Sequence, residues 1–322
     1  MKAIYFDHYG PPEVLSLREV PTPTPRAGEV LVKVRASSVN AADWHVMRAD
    51  PPVARLMLGL FRPRVNGLGL DVAGSVEAAG PGVSDFKVGD EVFGCLKFPA
   101  IGAFAEYVCA PEELLALKPA SMSFDEAAAV PLAGGTALRA LVDHGQVKAG
   151  MKVLINGAAG GVGTFAVQIA RALGAEVTAV CSSRNLEQAR ALGAAHVIDY
   201  AREDFTQAEA RYDIIVAANG YHPLSAYKRA LAPGGVYAMT GGRGKQMAEA
   251  LFFGKLSSLG SGKRLGGVDF KPRKGDVVQL KALVDAGKLV SAIDRRYRLE
   301  QVPEAIAYLE EGHARGKVVI TV

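Results

Sequence analysis

The stretch VLINGAAGGVGTFAVQIARAL, Val153 to Leu173, contains a buried β-strand, a glycine-rich turn and an amphipathic helix without a gap. Its first residues suit a strand buried on both faces, and apolar side chains recur at helical spacing after the turn. Gly160, Gly161 and Gly163 remove side chains where backbone N–H groups and the helix dipole can meet a phosphate. The setting predicts a dinucleotide-binding turn, although Ala158 replaces the first glycine of the usual fingerprint.

The next strand, EVTAVC, is followed by Ser182, Ser183 and Arg184 instead of the carboxylate that usually binds the ribose hydroxyls of NAD. A carboxylate would repel a ribose phosphate, whereas two hydroxyls and a guanidinium supply donors and positive charge for it. The segment therefore favours NADPH over NADH. A compatible alternative is that Ser182 or Ser183 caps a helix over 185–192, which Gly193 closes.

The chain divides by pattern into three parts, and the predicted fold class is α/β. Residues 1–123 are rich in Gly and Pro, with short β-like runs spaced as in a compact antiparallel barrel. In residues 124–264, strands alternate with helical patterns, which predicts a doubly wound parallel sheet. Residues 265–322 carry two amphipathic helices and a closing strand, KVVITV, which we expect to return to the first domain.

Composition is that of an ordinary enzyme. With 322 residues, 49% of them hydrophobic and 22% charged, the chain can bury the cores of two domains. It has no apolar run near the ~20 residues of a membrane span and no signal-peptide pattern, so we expect a cytoplasmic protein with no membrane partner. The net charge of +4 is modest, and the basic run over 263–274 is more typical of a solvated loop, so we expect no nucleic-acid partner.

Seven stretches, in order, resemble the medium-chain dehydrogenase/reductase superfamily over essentially the whole chain, and in particular its zinc-free, quinone-reductase-like branch. They are ASSVNAADW, GLDVAG, GDEVFG, GAFAEYVCAP, AAAVPLAGGTAL, NGAAGGVGTFAVQIA and EGHARGKVVI. The resemblance implies a GroES-like β-barrel catalytic domain, built from both ends of the chain over 1–123 and 265–322. It also implies a Rossmann NADP-binding domain over 124–264, with the nicotinamide in the cleft.

The resemblance also shows where the zinc ligands of the related alcohol dehydrogenases would lie. Those enzymes have a cysteine ligand where this chain has Asn40 or one of its neighbours. They have a His-Glu pair where this chain has Leu70 and Asp71. His45 has no second ligand at workable spacing, and three scattered cysteines cannot form a four-cysteine structural site. We therefore predict no metal site.

Without a metal to polarise an alcohol, the resemblance implies hydride delivery from NADPH to a small electrophile, a quinone or an α,β-unsaturated carbonyl. By resemblance, Asn40 and Thr136 are catalytic and lie beside the nicotinamide, where they hold its carboxamide or the substrate oxygen. The alternatives are that Asn40 shapes a turn and that Thr136 caps a helix. Asp43, Trp44 and Tyr107 are further candidates for lining the cleft.

The predicted cofactor site combines the glycine-rich turn, the segment after the second strand and residues that the resemblance places near the cofactor. It comprises Asn40, Thr136, Gly160, Gly161, Val162, Gly163, Ser182, Ser183, Arg184, Tyr200, Asn219, Gly241, Gly316 and Lys317. Two other functions stay open. One is an NAD(P)-dependent alcohol or carbonyl dehydrogenase of the same superfamily, and the other is a protein that binds NADPH without turnover.

The segment ADPPVARLMLGLFRPRVNG, residues 49–67, lies between barrel strands. Its apolar residues recur at helical spacing from Val53 to Leu60, which predicts a short apolar helix. We interpret the segment as a lid on the substrate pocket. The alternatives are that it is part of the core or that it forms a dimer surface.

In the superfamily that the chain resembles, Rossmann domains commonly pair edge to edge, and the strand GGVYAMTGG occupies the corresponding place. An uncovered strand would leave its N–H and C=O groups open for pairing, which predicts a homodimer joined at the strand of Tyr237. The alternative is a monomer whose edge is covered by the basic, glycine-rich segment 243–274.

Overall fold

The computed structural model describes residues 1–207, 211–241, 262–269 and 271–322, together with Gln246, Glu249, Ser258 and Gly260. The chain forms two compact units. The first contains Met1–Leu132, Lys271–Asp285 and Ile293–Val322, and the second contains Ala133–Phe270 and Ala286–Ala292.

Strands and helices of the described residues are numbered in chain order. The strands are β1 (Lys2–Tyr5), β2 (Ser16–Glu19), β3 (Glu29–Val39), β4 (Asp71–Ala79), β5 (Glu91–Cys95), β6 (Tyr107–Pro111), β7 (Leu115–Leu117), β8 (Lys152–Asn156), β9 (Glu176–Cys181), β10 (His196–Asp199), β11 (Tyr212–Ala217), β12 (Leu231–Met239), β13 (Arg264–Gly267), β14 (Ile293–Arg298) and β15 (Lys317–Thr321). The α-helices are α1 (Ala41–Arg48), α2 (Arg55–Leu58), α3 (Phe124–Ala128), α4 (Pro131–Arg139), α5 (Gly161–Ala172), α6 (Leu186–Ala191), α7 (Leu224–Ala230), α8 (Lys274–Asp285) and α9 (Val302–Glu310). Short 3₁₀ turns are Pro12–Val14, Pro52–Ala54, Glu112–Leu114, Ser183–Asn185, Phe205–Gln207 and Leu299–Gln301, and a π-helical turn, Ala140–His144, follows α4.

The first unit is built on a seven-stranded, mostly antiparallel sheet in the order β14-β15-β3-β4-β5-β7, with β6 also paired to β3. The long strand β3 is buried along most of its length and joins both halves of the sheet, because β4, β6 and β15 all pair with it. The pairing of Val318 with Val39 confirms that the closing strand KVVITV returns to the first part of the chain.

The second unit is a six-stranded sheet in the order β10-β9-β8-β11-β12-β13, with parallel pairing throughout. The chain builds outward from β8 in both directions, so the strand order reverses there. Ligands of open α/β sheets bind at such a switch point, outside the carboxyl ends of the strands. The α/β fold class, an antiparallel barrel-like unit plus a doubly wound parallel sheet, is confirmed.

The strand expected to form an exposed dimer edge is covered. Val236 to Met239 of β12 pair in parallel register with Arg264 to Gly267 of β13, and the Tyr237 side chain is buried. The prediction of an open edge at β12 is therefore wrong, because part of the segment 243–274 supplies the next strand. Other residues of that segment, Arg243 among them, lie outside the described residues. The homodimer stays a prediction, and β12 is not available to join it.

Within the first unit, the apolar segment after Pro51 forms the 3₁₀ turn Pro52–Ala54 and the single turn of α2, which confirms a short helix. Five of its large apolar side chains are exposed, so the alternative that the segment is part of the core is wrong for them. Among the described residues, no helix is long and apolar enough to cross a membrane.

Candidate active site

The glycine-rich turn of the second unit leaves backbone donors at the start of α5. The first α-helical bond is donated by Thr164 N–H to Gly160 O over 2.9 Å. The N–H groups of Gly161, Val162 and Gly163 precede that bond, so the helix itself offers them no acceptor. Together with the positive end of the helix dipole they have the geometry that anions bind, and the predicted pyrophosphate site stays a prediction.

The glycines of this turn have different roles. A Cβ on Gly163 would lie 2.1 Å from Gly157 O, so the helix packs directly on the turn at this position. A Cβ on Gly160 would meet only Gly157 O at 3.7 Å, an ordinary contact that leaves space above the turn. Gly163 is therefore required for packing, whereas the space beside Gly160 is open. This cradle of glycine and N–H groups fits a dinucleotide pyrophosphate.

Gly157, one residue before Ala158, makes the tight turn that the first glycine of the fingerprint would otherwise make. Gly157 ends β8 with a φ of +84°. Its N–H and that of Ala158 donate to Val180 O over 3.1 and 3.0 Å. The sequence signal was the Asn156-Gly157 pair at the strand end, since glycine is the residue that adopts positive φ without strain. Asn156 Nδ2 donates to Tyr227 Oη over 2.9 Å and fixes the turn from below.

Asn219 and Gly241 lie at the carboxyl ends of the neighbouring strands. Asn219 N–H donates to Asn156 O over 3.2 Å, directly after β11. A Cβ on Gly241 would lie 2.7 Å from Ala218 O, which places this glycine beside the end of the same strand. Both residues therefore lie at the edge of the sheet that carries the glycine-rich turn.

The two serines after β9 bond away from α6. Ser182 Oγ accepts from Asn185 Nδ2 over 3.1 Å, and Ser183 Oγ donates to Asp199 Oδ2 over 2.5 Å. The helix-cap alternative is wrong for both, because the N-cap residue of α6 is Asn185 and neither serine side chain accepts a backbone N–H at the start of the helix. The bond from Ser183 lowers the pKa of Asp199, so this carboxyl is ionised at neutral pH.

Asp199 and Arg202 were missed by the sequence reasoning. Asp199 ends β10, which pairs with β9 at Cys181, so its carboxylate comes beside the predicted ribose-phosphate segment. Arg202 Nε lies 3.7 Å from Asp199 Oδ2, and the intervening Tyr200 is 61% exposed. The available signal was the run HVIDYAR, in which an acidic strand end is followed by tyrosine and arginine. Positive charge at this edge is therefore partly offset by one carboxylate.

In the first unit, Asn40 belongs to a buried set of polar residues that we call the charged cluster: Ser38, Asn40, Asp43, Asp71 and Lys317. Asn40 Nδ2 donates to Asp71 Oδ2 over 2.8 Å and to Ser38 O over 3.1 Å. Its backbone N–H donates to Asp43 Oδ2 over 2.8 Å at the start of α1. Asn40 thus shapes the entry to this helix, and its amide protons point into the cluster.

Lys317 supplies the positive charge of the cluster. Its side chain is 3% exposed, and Nζ donates to Asn40 Oδ1 over 2.6 Å and to Val39 O over 3.1 Å. Nζ also lies 3.7 Å from Asp71 Oδ2. Burial lowers the pKa of Lys317, and the nearby carboxylates oppose that shift. The preceding Gly316 has a φ of +123°, which favours glycine where β15 begins.

The two carboxyl groups of the cluster are held by donors. Asp71 Oδ2 accepts from Ser38 Oγ over 2.6 Å, and Oδ1 accepts from Leu132 N–H over 2.8 Å. Asp43 Oδ1 accepts from Gly69 N–H over 2.9 Å, in addition to the bond from Asn40. Burial raises the pKa of Asp43 to about 7.

The other candidate residues lie on α4, α1 and β6. Thr136 is buried inside α4, so it does not cap that helix. Trp44 stacks on His45 at a centroid distance of 3.6 Å and packs against the core of the first unit. Tyr107 begins β6 opposite Lys33.

The residues at the predicted zinc position do not fit zinc. The Lys317 ammonium lies among Val39 O, Asn40 Oδ1 and Asp71 Oδ2, so the chain supplies its own cation there. Thiolate and imidazole, the usual zinc ligands, are missing from this set. His45 Nδ1 is engaged 2.8 Å from Asp50 O. Within the described part of the chain, no group of three His, Cys, Asp or Glu residues could hold a metal ion.

Comparison with known proteins gives consistent similarities. Residues 26–120 match the family described as alcohol dehydrogenase GroES-like domain, and residues 192–320 match the family described as zinc-binding dehydrogenase. The chain is 34% identical to the chloroplast envelope quinone oxidoreductase homolog of Arabidopsis thaliana over 334 residues, covering 99% of this chain and 98% of the relative. It is 33% identical to the chloroplastic NADPH-dependent alkenal/one oxidoreductase of the same plant over 336 residues, covering 99% and 79%. The structure of the quinone oxidoreductase from Coxiella burnetii superimposes with a TM-score of 0.88 at 34% identity, covering 100% of this chain and 99% of that one.

Proposed function

Since the chain belongs to the quinone-reductase-like branch of the medium-chain dehydrogenase/reductase superfamily and is an oxidoreductase, we propose that it is a zinc-independent, NADPH-dependent reductase of quinones or α,β-unsaturated carbonyls. The observation that carries the proposal is the Lys317 ammonium at the position where related dehydrogenases would bind zinc. A chain without a Lewis acid suits acceptors that are already activated by conjugation. The names of two relatives, a quinone oxidoreductase homolog and an alkenal/one oxidoreductase, support that class of acceptor.

The second unit supplies the proposed cofactor site. Gly160, Gly161, Val162 and Gly163 would hold the pyrophosphate at the start of α5, with Asn219 and Gly241 beside them. When bound, NADPH supplies the hydride.

The segment after β9 is proposed to select the phosphorylated cofactor. Ser182, Arg184 and Tyr200 would contact the ribose phosphate as donors. The Ser183 proton is already given to Asp199, so we assign Ser183 to positioning this segment.

In the first unit, the contacts of Asn40 favour one of its two predicted roles. Both Nδ2 protons are used, on Asp71 and Ser38, whereas Oδ1 accepts one bond from Lys317 and keeps a second acceptor position. An acceptor matches the NH₂ group of a nicotinamide carboxamide and would repel a developing substrate oxyanion. We therefore propose that Asn40 orients the carboxamide, with Gly316 and Lys317 supporting it. The Thr136 hydroxyl is the proposed donor to the substrate oxygen.

A panel of acceptors tests the proposal. Purified protein is mixed with NADPH and with naphthoquinone, a straight-chain alkenone, a saturated ketone or a primary aldehyde, and absorbance of the reduced nicotinamide is followed. We expect turnover with the quinone or the alkenone and none with the saturated carbonyls. Turnover of the saturated ketone or aldehyde would instead indicate a carbonyl dehydrogenase. Tight NADPH binding without turnover of any acceptor would indicate a non-catalytic protein.

A further inference from the structure

The segment after Pro51, whose role as a lid stays a prediction, carries an apolar surface in the first unit. Five of the fourteen exposed large hydrophobic residues in the described part of the chain lie between Val53 and Phe61. They are Val53, Leu56, Met57, Leu60 and Phe61, and we call them the apolar patch. Phe61 is 88% exposed and Met57 is 73% exposed. Single exposed apolar residues are normal, but a contiguous group of this kind marks an interaction surface.

Hydrogen bonds hold the backbone turn that carries the apolar patch. Gly59 has a φ of +119°, and a Cβ there would lie 2.1 Å from Arg62 O, so the chain reverses tightly at this glycine. Tyr9 Oη donates to Gly59 O over 2.8 Å, and Arg64 N–H donates to Leu58 O over 2.8 Å. The backbone is thus tied to the body of the unit while the apolar side chains point outward.

The charges within the segment that carries the patch are all positive. Arg55, Arg62 and Arg64 are exposed within the segment, and the sequence has no acidic residue from Pro51 to Leu70. The Arg55 guanidinium lies over the ring of Tyr9, 5.2 Å from its centroid. The nearby Asp7 pairs with Arg18 at 2.6 Å, so its charge is already matched. Asp7 also faces Arg62, so the surface combines apolar side chains with an excess of positive charge from three arginines and one nearby carboxylate.

We propose that the apolar patch and its three arginines dock the protein on an anionic lipid surface. Exposed Phe, Leu and Met side chains suit the boundary between headgroups and acyl chains, and guanidinium groups bind lipid phosphates. A second copy of the chain is a poorer occupant, because a two-fold contact would bring the same arginines together. The surface lies on the membrane and does not span it. This proposal revises the expectation, drawn from the lack of an apolar span, that the protein has no membrane partner.

Vesicle flotation tests the proposal without cofactor or acceptor, so its failure would leave the proposed reductase activity untouched. The wild-type chain, a Met57→Ser/Phe61→Ser variant and an Arg62→Gln/Arg64→Gln variant are floated with phosphatidylcholine vesicles that do or do not contain phosphatidylglycerol. The control is Val88→Ser, because Val88 is 65% exposed but lies outside the patch. All of these substitutions are at exposed positions, so each variant should fold normally.

We expect the wild type and Val88→Ser to float with the anionic vesicles. The Met57→Ser/Phe61→Ser variant should bind them at least about tenfold more weakly, since two large apolar groups no longer leave water. The arginine variant should lose the preference for phosphatidylglycerol. Failure of the wild type to float, or equal binding by all variants, would overturn the proposal. A dimer in light scattering that Met57→Ser/Phe61→Ser splits, with no vesicle binding, would show that the patch joins two copies and would overturn it as well.

Discussion

The charged cluster of the first unit and the carboxyl edge of the second unit's sheet treat polar groups in opposite ways. In the cluster, side chains satisfy one another out of water: the Lys317 ammonium, the Asn40 amide and the Asp71 carboxylate are all buried and bonded. At the edge, the first N–H groups of α5 have no acceptor within the helix, the space beside Gly160 is open, and we propose that the cofactor binds there.

Because of this difference, substitutions in the two regions should affect different measured quantities, stability in one and cofactor affinity in the other. Removing one member of the cluster leaves an uncompensated buried charge, so the effect should appear first in stability. Removing a group from the edge takes away a partner of the ligand, so the effect should appear first in cofactor affinity. The two regions can therefore be compared by measuring unfolding and cofactor binding on the same variants.

The largest effect is expected for Lys317→Met. This change removes the only positive charge of the cluster and leaves Asp43 and Asp71 buried together, which should cost about 3–5 kcal/mol in the free energy of unfolding. Denaturant unfolding measures it. Lys281→Met is the matched control, because Lys281 pairs with Asp285 on the surface of α8; it should cost at most about 0.5 kcal/mol. Equal stability of the two variants would show that Lys317 does not balance the cluster.

Arg184→Ala tests the edge. Loss of a charge-assisted bond to the ribose phosphate should weaken NADPH binding by about 1.5–3 kcal/mol, with little change for NADH or for unfolding. Fluorescence titration with both cofactors measures the difference, and Arg190→Ala on exposed α6 serves as control. If NADPH and NADH lose affinity equally, the segment after β9 does not select the phosphate.

Substitutions of Gly160 and Gly163 separate cofactor binding from packing within the edge. Gly163→Ala forces a Cβ to within 2.1 Å of Gly157 O and should lower stability, by about 1–3 kcal/mol for such overpacking. Gly160→Ala meets only an ordinary contact at 3.7 Å, so unfolding should change little while NADPH affinity falls. Thermal unfolding and titration of both variants test this. The opposite pattern would exchange the packing and ligand roles of the two glycines.

The smallest effect is a pH dependence of the cluster. Because the pKa of Asp43 is raised to about 7, the folded state binds a proton that the unfolded state has released at pH 6. Stability from this group is therefore greater at pH 6 than at pH 8, by about 1 kcal/mol. Denaturant unfolding at both pH values should show this difference in the wild type and a smaller one in Asp43→Asn. The same pH difference in both proteins would mean that Asp43 does not titrate in this range.

The edge of the second unit was predictable because it depends on local sequence. Strand, turn and helix follow one another in Val153–Leu173, as the structure has them, and the phosphate site at the start of the helix stays a prediction from the glycine spacing. The Ser183–Asp199 bond was not predictable, because it depends on the pairing of β9 with β10. The pairing of β13 with β12 was also missed, because the short strand RLGG has little apolar pattern.

The charged cluster shows how far a resemblance reaches without a structure. The resemblance implied that Asn40 and Lys317 lie near the cofactor. Their contact with each other depends on the antiparallel pairing of β15 with β3, two strands from opposite ends of the chain. No local pattern reports that Lys317 bonds to Asn40, or that the amide protons of Asn40 are used internally. The resemblance therefore named candidate residues, and only the fold shows which of their atoms are already bonded to one another.

Metal analysis combined with a rate measurement tests zinc independence most directly. Protein dialysed extensively against a strong chelator is analysed for zinc, and its NADPH-dependent reduction of naphthoquinone and of a straight-chain alkenone is compared with the untreated rate. Because the Lys317 ammonium already occupies the cation position, we expect well under one zinc per chain and an unchanged rate. Stoichiometric zinc in the untreated protein, with activity lost on chelation and restored by zinc, would contradict the proposed function.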